Sequence, residues 1–320
     1  MKYRCAVLDD YQNVALSYAD WSKLAPDVEV EVFNQPFKST DEVHRSLKGF
    51  QIICMMRERT AFLRNTIEAL PDLRLLITTG ARNKSIDLAA AAERGITVAG
   101  TGTFGNPTAG ITFGLILELT RRIGFENARM KAGAPWQVTI GHDIQGMTLG
   151  VVGLGNLGRR VSNVAKAFGM KVIAWSQNLT PEKCNEAGID YATKEELLRN
   201  ADIVTIHLQL SDRSTNLLGE KDLALMKPTA YLVNTSRGPI VNEKALIAAL
   251  SAGRLAGAGL DVFDVEPLPV DHPFRKLDNV VLTPHLGYVS IQNYKVYYPD
   301  IVAHIRNFID GKPIKALAPR

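Results

Sequence analysis

Cysteine is scarce in this sequence, and long apolar runs are missing from it altogether. The three cysteines, Cys5, Cys54 and Cys184, are too few and too scattered for a disulfide framework or a zinc site. No apolar run approaches the roughly 20 residues that cross a bilayer. The residues after Met1 read as a first strand and lack the long apolar region of a signal peptide. These absences predict a cytoplasmic protein with reduced thiols, no metal and no membrane partner.

An excess of charge of one sign is also missing. The formal net charge is +4 over 320 residues, and no dense block of lysine and arginine occurs. Nucleic acid is therefore not an expected partner. With 46% hydrophobic and 22% charged residues, the composition is ordinary for a soluble α/β protein. The length suits two domains, each large enough for its own core.

Short apolar runs alternate with helical patterns through the first hundred residues. The strand-like runs are Tyr3–Leu8, Val28–Phe33, Gln51–Met55, Leu73–Thr78 and Ile96–Val98. Helical patterns lie near residues 12–24, 41–48, 60–69 and 86–94. This alternation predicts a parallel sheet covered by helices. A Gly/Thr-rich stretch at residues 100–107 interrupts the pattern and is the predicted linker.

A second alternating series follows the linker. It opens with a predicted long helix from about Pro107 to Lys131, with proline in its first turn. Six strands are then predicted, at residues 149–153, 171–175, 202–206, 230–234, 256–260 and 279–282. Six strands with intervening helices match the doubly wound dinucleotide-binding fold. A last helix, roughly 290–310, follows the completed sheet, and we expect it to pack on the first domain.

A glycine motif lies at the start of this second series. The motif consists of Gly153, Leu154, Gly155, Asn156, Leu157 and Gly158. It follows an apolar strand and precedes a helical pattern, which is the context in which a dinucleotide pyrophosphate sits on a helix N-terminus. The first glycine allows a tight turn, the second a close approach of the backbone to phosphate, and the third close helix–strand packing.

Polar side chains follow the later predicted strands. They are His207, Thr235, Arg237, Asp261, Glu266 and His285. Ligands of open α/β sheets bind at the carboxyl ends of strands, so this set should lie beside the predicted cofactor. Oxidising an alcohol removes a hydride to nicotinamide and a proton to a base. Histidine suits that base, a neighbouring carboxylate fixes its tautomer, and arginine can hold a substrate carboxylate.

Four motifs in this order resemble the D-isomer-specific 2-hydroxyacid dehydrogenases over essentially the full length. They are the glycine motif, Asn234–Val241 (NTSRGPIV), Gly259–Phe263 with Glu266-Pro267, and Thr283–Gly287 (TPHLG). The resemblance implies two doubly wound parallel-sheet α/β domains. A flavodoxin-like substrate domain would comprise residues 1–104 with 289–320, and a Rossmann cofactor domain residues 105–288.

The resemblance also implies roles for individual residues. Arg237, Glu266 and His285 would form the catalytic set, and Asp261 would bind the nicotinamide carboxamide. Thr235 and His207 would line the cofactor pocket. The partner would be a small 2-oxo or 2-hydroxy acid. The family usually forms homodimers through the cofactor domain, and the helix near 107–131 is the expected contact.

A loop of the first domain corresponds to the family's site for the substrate carboxylate. Here it contains Gly80 and Ala81, followed by Arg82 and Asn83, where the family more usually has a second glycine and an aspartate. This departure puts the substrate identity in doubt and leaves the reaction type unaffected. Beyond this loop, the candidate substrate residues are Arg57, Arg237 and Tyr288.

An acidic residue is missing where one usually binds the adenosine ribose hydroxyls. The second strand of the cofactor domain ends Trp175-Ser176-Gln177, and Ser176 stands at about the acidic position. The missing charge would no longer repel the 2′-phosphate of NADP, yet no cation follows Ser176 along the chain before Lys183. We therefore expect NAD, with NADP as the alternative.

Two other functions stay open at this point. One is another hydride donor on the same fold, because phosphite is not excluded, whereas Glu266 argues against formate. The other is a corepressor-like binding protein that senses NADH, since such proteins of the family can retain the catalytic residues.

Overall fold

The computed structural model describes residues 2–318 of the chain. Two compact units divide it: one runs through Gly105 and resumes at Ser290, and the other is Asn106–Val289. We refer to them as the first and second units.

The first unit contains a five-stranded parallel sheet. Its strands are β1 (Tyr3–Val7), β2 (Val28–Val32), β3 (Ile52–Met55), β4 (Leu75–Thr78) and β5 (Thr97–Gly100). Its first three helices are α1 (Thr40–Ser46), α2 (Arg64–Ala69) and α3 (Leu88–Glu93). The strand order is β2-β1-β3-β4-β5, with every pair parallel. That order is the flavodoxin-like one and confirms the predicted fold of this unit.

The second unit contains a seven-stranded parallel sheet. Its helices are α4 (Thr108–Arg121), α5 (Ile123–Lys131), α6 (Asn156–Ala167), α7 (Pro181–Glu186), α8 (Lys194–Asn200), α9 (Glu220–Leu223) and α10 (Glu243–Ser251). Its strands are β6 (Thr148–Val152), β7 (Lys171–Trp175), β8 (Asp190–Tyr191), β9 (Ile203–Ile206), β10 (Tyr231–Asn234), β11 (Gly257–Leu260) and β12 (Val280–Leu282). The order β12-β11-β10-β9-β6-β7-β8 confirms the predicted Rossmann topology.

One strand of that sheet was not expected from the sequence. β8 is only two residues long, both of them exposed, and it pairs with β7 alone at the sheet edge. Because it buries no apolar side chain, it leaves no hydrophobic run for a sequence pattern to detect.

Two predicted helices were wrong in extent. The pattern at residues 12–24 forms two short 3₁₀ turns, Ala15–Ser17 and Trp21–Leu24. The carboxylate of Asp10 accepts hydrogen bonds from the amides of Val14 and Ala15. The Asp20 carboxylate accepts one from the amide of Ser22. Such short acidic side chains bond nearby amides and favour turns over a continuous helix.

The long helix predicted from Pro107 to Lys131 is two helices. Arg122 separates α4 from α5 in a left-handed conformation, with φ of 52°. The carbonyl of Thr120 accepts the amide of His142, and the amide of Gly124 donates instead to the Glu118 carboxylate. The hydrogen bond that a continuous helix would form from the Gly124 amide to the Thr120 carbonyl is therefore absent, because both groups have other partners.

The last helix, α11 (Ile291–Ile309), packs against the first unit. Tyr294, Tyr297 and Tyr298 are buried, as expected for its packing face. The ring of Tyr294 contacts that of Tyr18 edge-on, with centroids 5.7 Å apart. Between residues 2 and 318, no helix has both the length and the apolar character of a membrane span.

Strand register in the second unit determines where the polar residues lie. Asn234 of β10 is level with Ile206 of β9 and with Leu260 of β11. Ile206 is in turn level with Val152 of β6. The residues that follow these strands therefore emerge side by side at one edge of the sheet.

Candidate active site

A histidine and a glutamate form an ion pair at the end of the sheet. His285 Nδ1 lies 2.7 Å from Glu266 Oε2, and both side chains are mostly buried. Glu266 Oε1 accepts the amide of Phe263, at 3.0 Å. An ionised carboxylate only accepts hydrogen bonds, so Nδ1 of His285 is the donor in this contact when Glu266 is ionised. In the described part of the chain His285 Nε2 has no hydrogen-bond partner.

The backbone around His285 is held by Asp261. His285 itself has a left-handed conformation, with φ of 53°. One Asp261 oxygen accepts the amide of Leu286 and the hydroxyl of Thr283, at 2.7 and 2.6 Å, and the other accepts the amide of Gly287, at 2.8 Å. Burial raises the pKa of the Asp261 carboxyl, and these hydrogen bonds offset part of that rise. The carboxylate assigned from the sequence to nicotinamide thus has a direct part in positioning the histidine.

The turn that carries Arg237 is fixed by its neighbours. The Asn234 side chain accepts the amide of Ser236 and donates to the carbonyl of Arg237. The Ser236 hydroxyl donates to the carbonyl of Leu208. At Gly238 a Cβ would lie 2.1 Å from the carbonyl carbon of Phe263, so only glycine fits. This close approach brings the Arg237 turn against the segment that leads to Glu266.

The glycine motif has a space that the protein does not fill. At Gly158 a Cβ would lie 2.0 Å from the carbonyl oxygen of Gly153, so this glycine is needed for packing of α6 on β6. At Gly155, which precedes α6, a Cβ would meet no atom within 4 Å. No side chain caps the amides of Asn156 and Leu157 at the helix N-terminus. The motif therefore fits a phosphate-bearing cofactor at Gly155.

His207 lies beside the glycine motif. A Cβ on Gly153 would be 2.9 Å from the His207 carbonyl. Its Nε2 is 3.0 Å from the Thr205 hydroxyl, while its buried Nδ1 has no partner among residues 2–318. Burial lowers the pKa of His207 to about 3. The neutral ring therefore offers one unpaired polar atom next to the glycine motif, and this also fits a bound cofactor.

Other predicted cofactor residues surround the same edge. The Thr235 hydroxyl is 3.0 Å from the hydroxyl of Thr112 on α4. Ser176 and Gln177 follow β7, and the Gln177 amide nitrogen donates to the carbonyl of Arg213, at 2.9 Å. Tyr288 contacts the His285 ring edge-on, with centroids 5.7 Å apart.

In the first unit, Arg57 and Gly80 lie together. A Cβ on Gly80 would be 1.8 Å from Arg57 Nη1, which donates to the carbonyl of Thr79, at 3.1 Å. Arg57 has φ of 51°. Its amide bonds the Thr79 hydroxyl, and its carbonyl accepts from Asn83. Asn83, which stands where the family more usually has another residue, thus holds the backbone of Arg57. Of the two loop amides, that of Gly80 already donates to the Thr101 hydroxyl. The amide of Ala81 has no acceptor among the residues described in this unit.

Sequence reasoning missed the supporting residues. Five residues bond a candidate site residue without having been candidates themselves: Thr79, Thr101, Thr112, Thr205 and Asn234. Of these, Asn234 alone lies in one of the four family motifs. Only Asn234 had a local signal, because asparagine two residues before a turn amide is typical of a side-chain-bonded turn.

Comparison with known proteins identifies the family of the chain. Residues 113–287 match the family model described as D-isomer specific 2-hydroxyacid dehydrogenase, NAD binding domain. A glyoxylate reductase of Korarchaeum cryptofilum is 40% identical over 230 residues, which are 70% of this chain and 69% of the relative. The chain belongs to the D-isomer specific 2-hydroxyacid dehydrogenase family.

Solved structures of this family resemble the whole chain. A phosphoglycerate oxidoreductase from Vibrio cholerae has a TM-score of 0.91 at 32% identity, covering 97% of this chain and 99% of the other. A glyoxylate reductase from Paecilomyes thermophila has a TM-score of 0.74 at 30% identity, covering 100% and 99%. The resemblance inferred from the motifs is confirmed, and the protein is an oxidoreductase of the 2-hydroxyacid family with an NAD(P) cofactor.

Proposed function

We propose that this protein interconverts a 2-oxo acid and a D-2-hydroxy acid, with His285 as the acid/base and Glu266 as its partner. The observation that carries the proposal is the 2.7 Å contact between His285 Nδ1 and Glu266, which leaves Nε2 free of protein partners in the described chain. A histidine held in this way presents Nε2 to a reacting oxygen, while the carboxylate at Nδ1 balances the positive charge of the protonated ring.

In the reductive direction the proton comes from His285. Bound NAD(P)H supplies the hydride. His285 Nε2 donates its proton to the substrate carbonyl oxygen, and Glu266 stabilises the imidazolium before that transfer and holds Nδ1–H throughout. Asp261 keeps the loop of residues 285–287 in place through its bonds to Leu286 and Gly287. In the oxidative direction His285 accepts the hydroxyl proton.

Arginine is the proposed partner of the substrate carboxylate. Its planar fork matches a carboxylate in two parallel hydrogen bonds. We assign this role to Arg237, whose turn is fixed by Asn234 and Gly238. Arg57 and the free amide of Ala81 in the first unit are the further proposed ligands, in place of the Gly80 amide, and Tyr288 is proposed to contact the substrate.

A small 2-oxo acid of the glyoxylate type is the proposed substrate. Relatives named glyoxylate reductase include the Korarchaeum cryptofilum protein, at 40% identity over 230 residues, and the Paecilomyes thermophila structure, at 30% identity. A phosphorylated three-carbon acid is the second candidate, because the Vibrio cholerae structure carries the phosphoglycerate name at 32% identity over nearly the full length.

A substrate panel tests the proposal directly. Oxidation of NADH and NADPH would be followed with glyoxylate, hydroxypyruvate, pyruvate and 3-phosphohydroxypyruvate. We expect the highest kcat/KM with glyoxylate or hydroxypyruvate, and loss of at least 100-fold in Arg237→Gln. Tight cofactor binding without turnover of any 2-oxo acid would favour a cofactor-sensing binding protein. Reduction of NAD(P)⁺ by phosphite alone would favour the phosphite reaction.

We also propose that the second unit forms a homodimer through α5 and the segment after it. Helix α5 has nine residues, none of them buried. Trp136 and Ile140 beyond it are 66% and 99% exposed. Isolated helices shorter than about 12 residues are marginal in water, so α5 needs a covering surface. A second copy supplies one of matching apolar character, and sedimentation should show a dimer.

A further inference from the structure

The end of β7 carries a cation that sequence spacing does not reveal. In this fold the residue after the second strand faces the adenosine ribose, and an acid there binds both hydroxyls of NAD. Here the position is the uncharged Ser176, followed by Gln177 and Asn178. The first cation after Ser176 along the chain is Lys183, but the fold brings Arg213 close to the residues that follow Ser176.

Two hydrogen bonds join the Arg213 segment to the β7 end. The Gln177 side chain donates to the Arg213 carbonyl, at 2.9 Å. Arg213 Nη2 donates to Asn178 Oδ1, at 3.4 Å. Both contacts lie within the second unit, in the loop that continues from β9 and His207. The Arg213 guanidinium is thereby held beside Asn178, and the Arg213 backbone beside Gln177, the two residues that follow Ser176.

The charge of Arg213 is not neutralised by the protein. Its side chain is exposed, and its only bond is to a neutral amide oxygen. Within residues 2–318 no carboxylate pairs with it, including that of the adjacent Asp212. An unpaired guanidinium beside an uncharged serine is a site for an anion with several acceptor oxygens.

We infer that Arg213 binds the 2′-phosphate of NADP(H), with Ser176 as a hydroxyl partner, so that the protein prefers NADP(H) over NAD(H). The inference rests on the proposed function only in taking NAD(P) as the cofactor. NAD has hydroxyls at this place and gives the guanidinium no charge to bind. The dianionic phosphate gives it charge-assisted hydrogen bonds, which are the stronger kind.

Binding of adenosine fragments tests this without any hydride transfer. Calorimetry would compare adenosine 2′,5′-bisphosphate with 5′-AMP, which differ only in the 2′-phosphate. We expect the bisphosphate to bind at least tenfold more tightly. Arg213→Gln should remove most of that ratio, while Arg199→Gln, an exposed arginine of α8 in the same unit, should leave it unchanged. Ser176→Asp should weaken the bisphosphate selectively by repulsion.

Several results would overturn the inference. Equal affinity for the two fragments would do so, as would an Arg213→Gln variant that weakens both equally. The outcome is separable from that of the proposed function. Bisphosphate selectivity without turnover of any 2-oxo acid would refute the reaction and keep the Arg213 site. Turnover of a 2-oxo acid, with a ratio of kcat/KM for NADPH over NADH that is the same in Arg213→Gln as in the wild type, would keep the proposed reaction and refute the Arg213 site.

Discussion

Two histidines at the same sheet edge have opposite surroundings. The His285 ring faces the carboxylate of Glu266, with Nδ1 and Oε2 2.7 Å apart. Among residues 2–318 the His207 ring has the Thr205 hydroxyl as its one hydrogen-bond partner, and burial lowers its pKa to about 3. One ring therefore has a carboxylate beside it, whereas the other has none and stays neutral beside the glycine motif.

Replacing Glu266 tests the charged pair. Glu266→Gln keeps the side-chain size but removes the negative charge that stabilises the imidazolium. We expect kcat/KM for reduction to fall about 100-fold, with the loss growing as pH rises because the proton is held less firmly. Steady-state kinetics between pH 6 and pH 9 would measure it. Glu195→Gln, on the exposed part of α8, is the control. A loss that is constant across that range would contradict the role of Glu266.

Replacing His207 tests the neutral ring. Its folded pKa lies below the usual 6.5, so between these values the unfolded chain binds a proton that the folded chain does not. This histidine therefore makes the protein less stable as pH falls from 6.5 towards 3. The ring is partly exposed, so we expect at most about 2 kcal/mol between pH 7.5 and pH 5. His207→Gln should flatten that part of the pH–stability curve in urea unfolding, and an unchanged slope would contradict the assignment.

At the scale of elements, the turn between β6 and α6 separates packing from binding. Gly158 is required because a Cβ there would lie 2.0 Å from the Gly153 carbonyl oxygen, whereas the space at Gly155 is open in the protein. The fold alone thus needs the third glycine of the motif, and we expect the second to be needed only for a bound cofactor.

An alanine at each position should separate the two effects. Gly158→Ala forces backbone overlap, and we expect it to destabilise the protein by about 1–3 kcal/mol or more. Gly155→Ala should leave the melting temperature within a degree or two and weaken NAD(P)H binding at least tenfold, because the methyl fills the space for phosphate. Thermal unfolding and fluorescence titration would measure both. A stable Gly158→Ala variant, or unweakened binding in Gly155→Ala, would contradict this division.

At the scale of the whole molecule, hydrogen bonds within the chain order the exposed apolar surface around α5. Glu126 Oε1 accepts the amides of Val138 and Thr139 and the Thr139 hydroxyl. The hydroxyl of Thr139 is the main reason that the pKa of Glu126 lies below its usual value. The segment is therefore ordered by hydrogen bonds while its apolar side chains face outwards, as expected for a preformed interface.

A charge at the most exposed apolar residue tests that interface. Ile140→Asp places a carboxylate where we expect a second copy, and the dimer should dissociate to monomers at micromolar concentration. Val270→Asp is the control, since Val270 is 91% exposed elsewhere in the second unit and should leave the dimer intact. Sedimentation velocity would distinguish these states. A monomeric wild-type protein would refute the interface.

Much of this protein follows from short-range features of its sequence. Short apolar runs predicted eleven of the twelve strands found in residues 2–318, and the four motifs identified the family. They succeed because a buried parallel strand must be apolar throughout, and because a phosphate loop needs glycine at fixed positions. Helix extents were less well predicted, because the break at Arg122 depends on a bond from distant His142 to Thr120.

Tertiary structure alone decided which distant residues meet. Nothing in the sequence indicates that Asn83 holds the carbonyl of Arg57, that Thr205 contacts His207 while leaving its Nδ1 unpaired, or that Arg213 reaches Asn178. Each pairing depends on strand order and loop path, which bring together side chains without a common motif. The sequence thus determined the fold and indicated the groups proposed to react, and the folded chain decided how those groups are oriented, that the His207 ring stays neutral and that Arg213 has no carboxylate partner among residues 2–318.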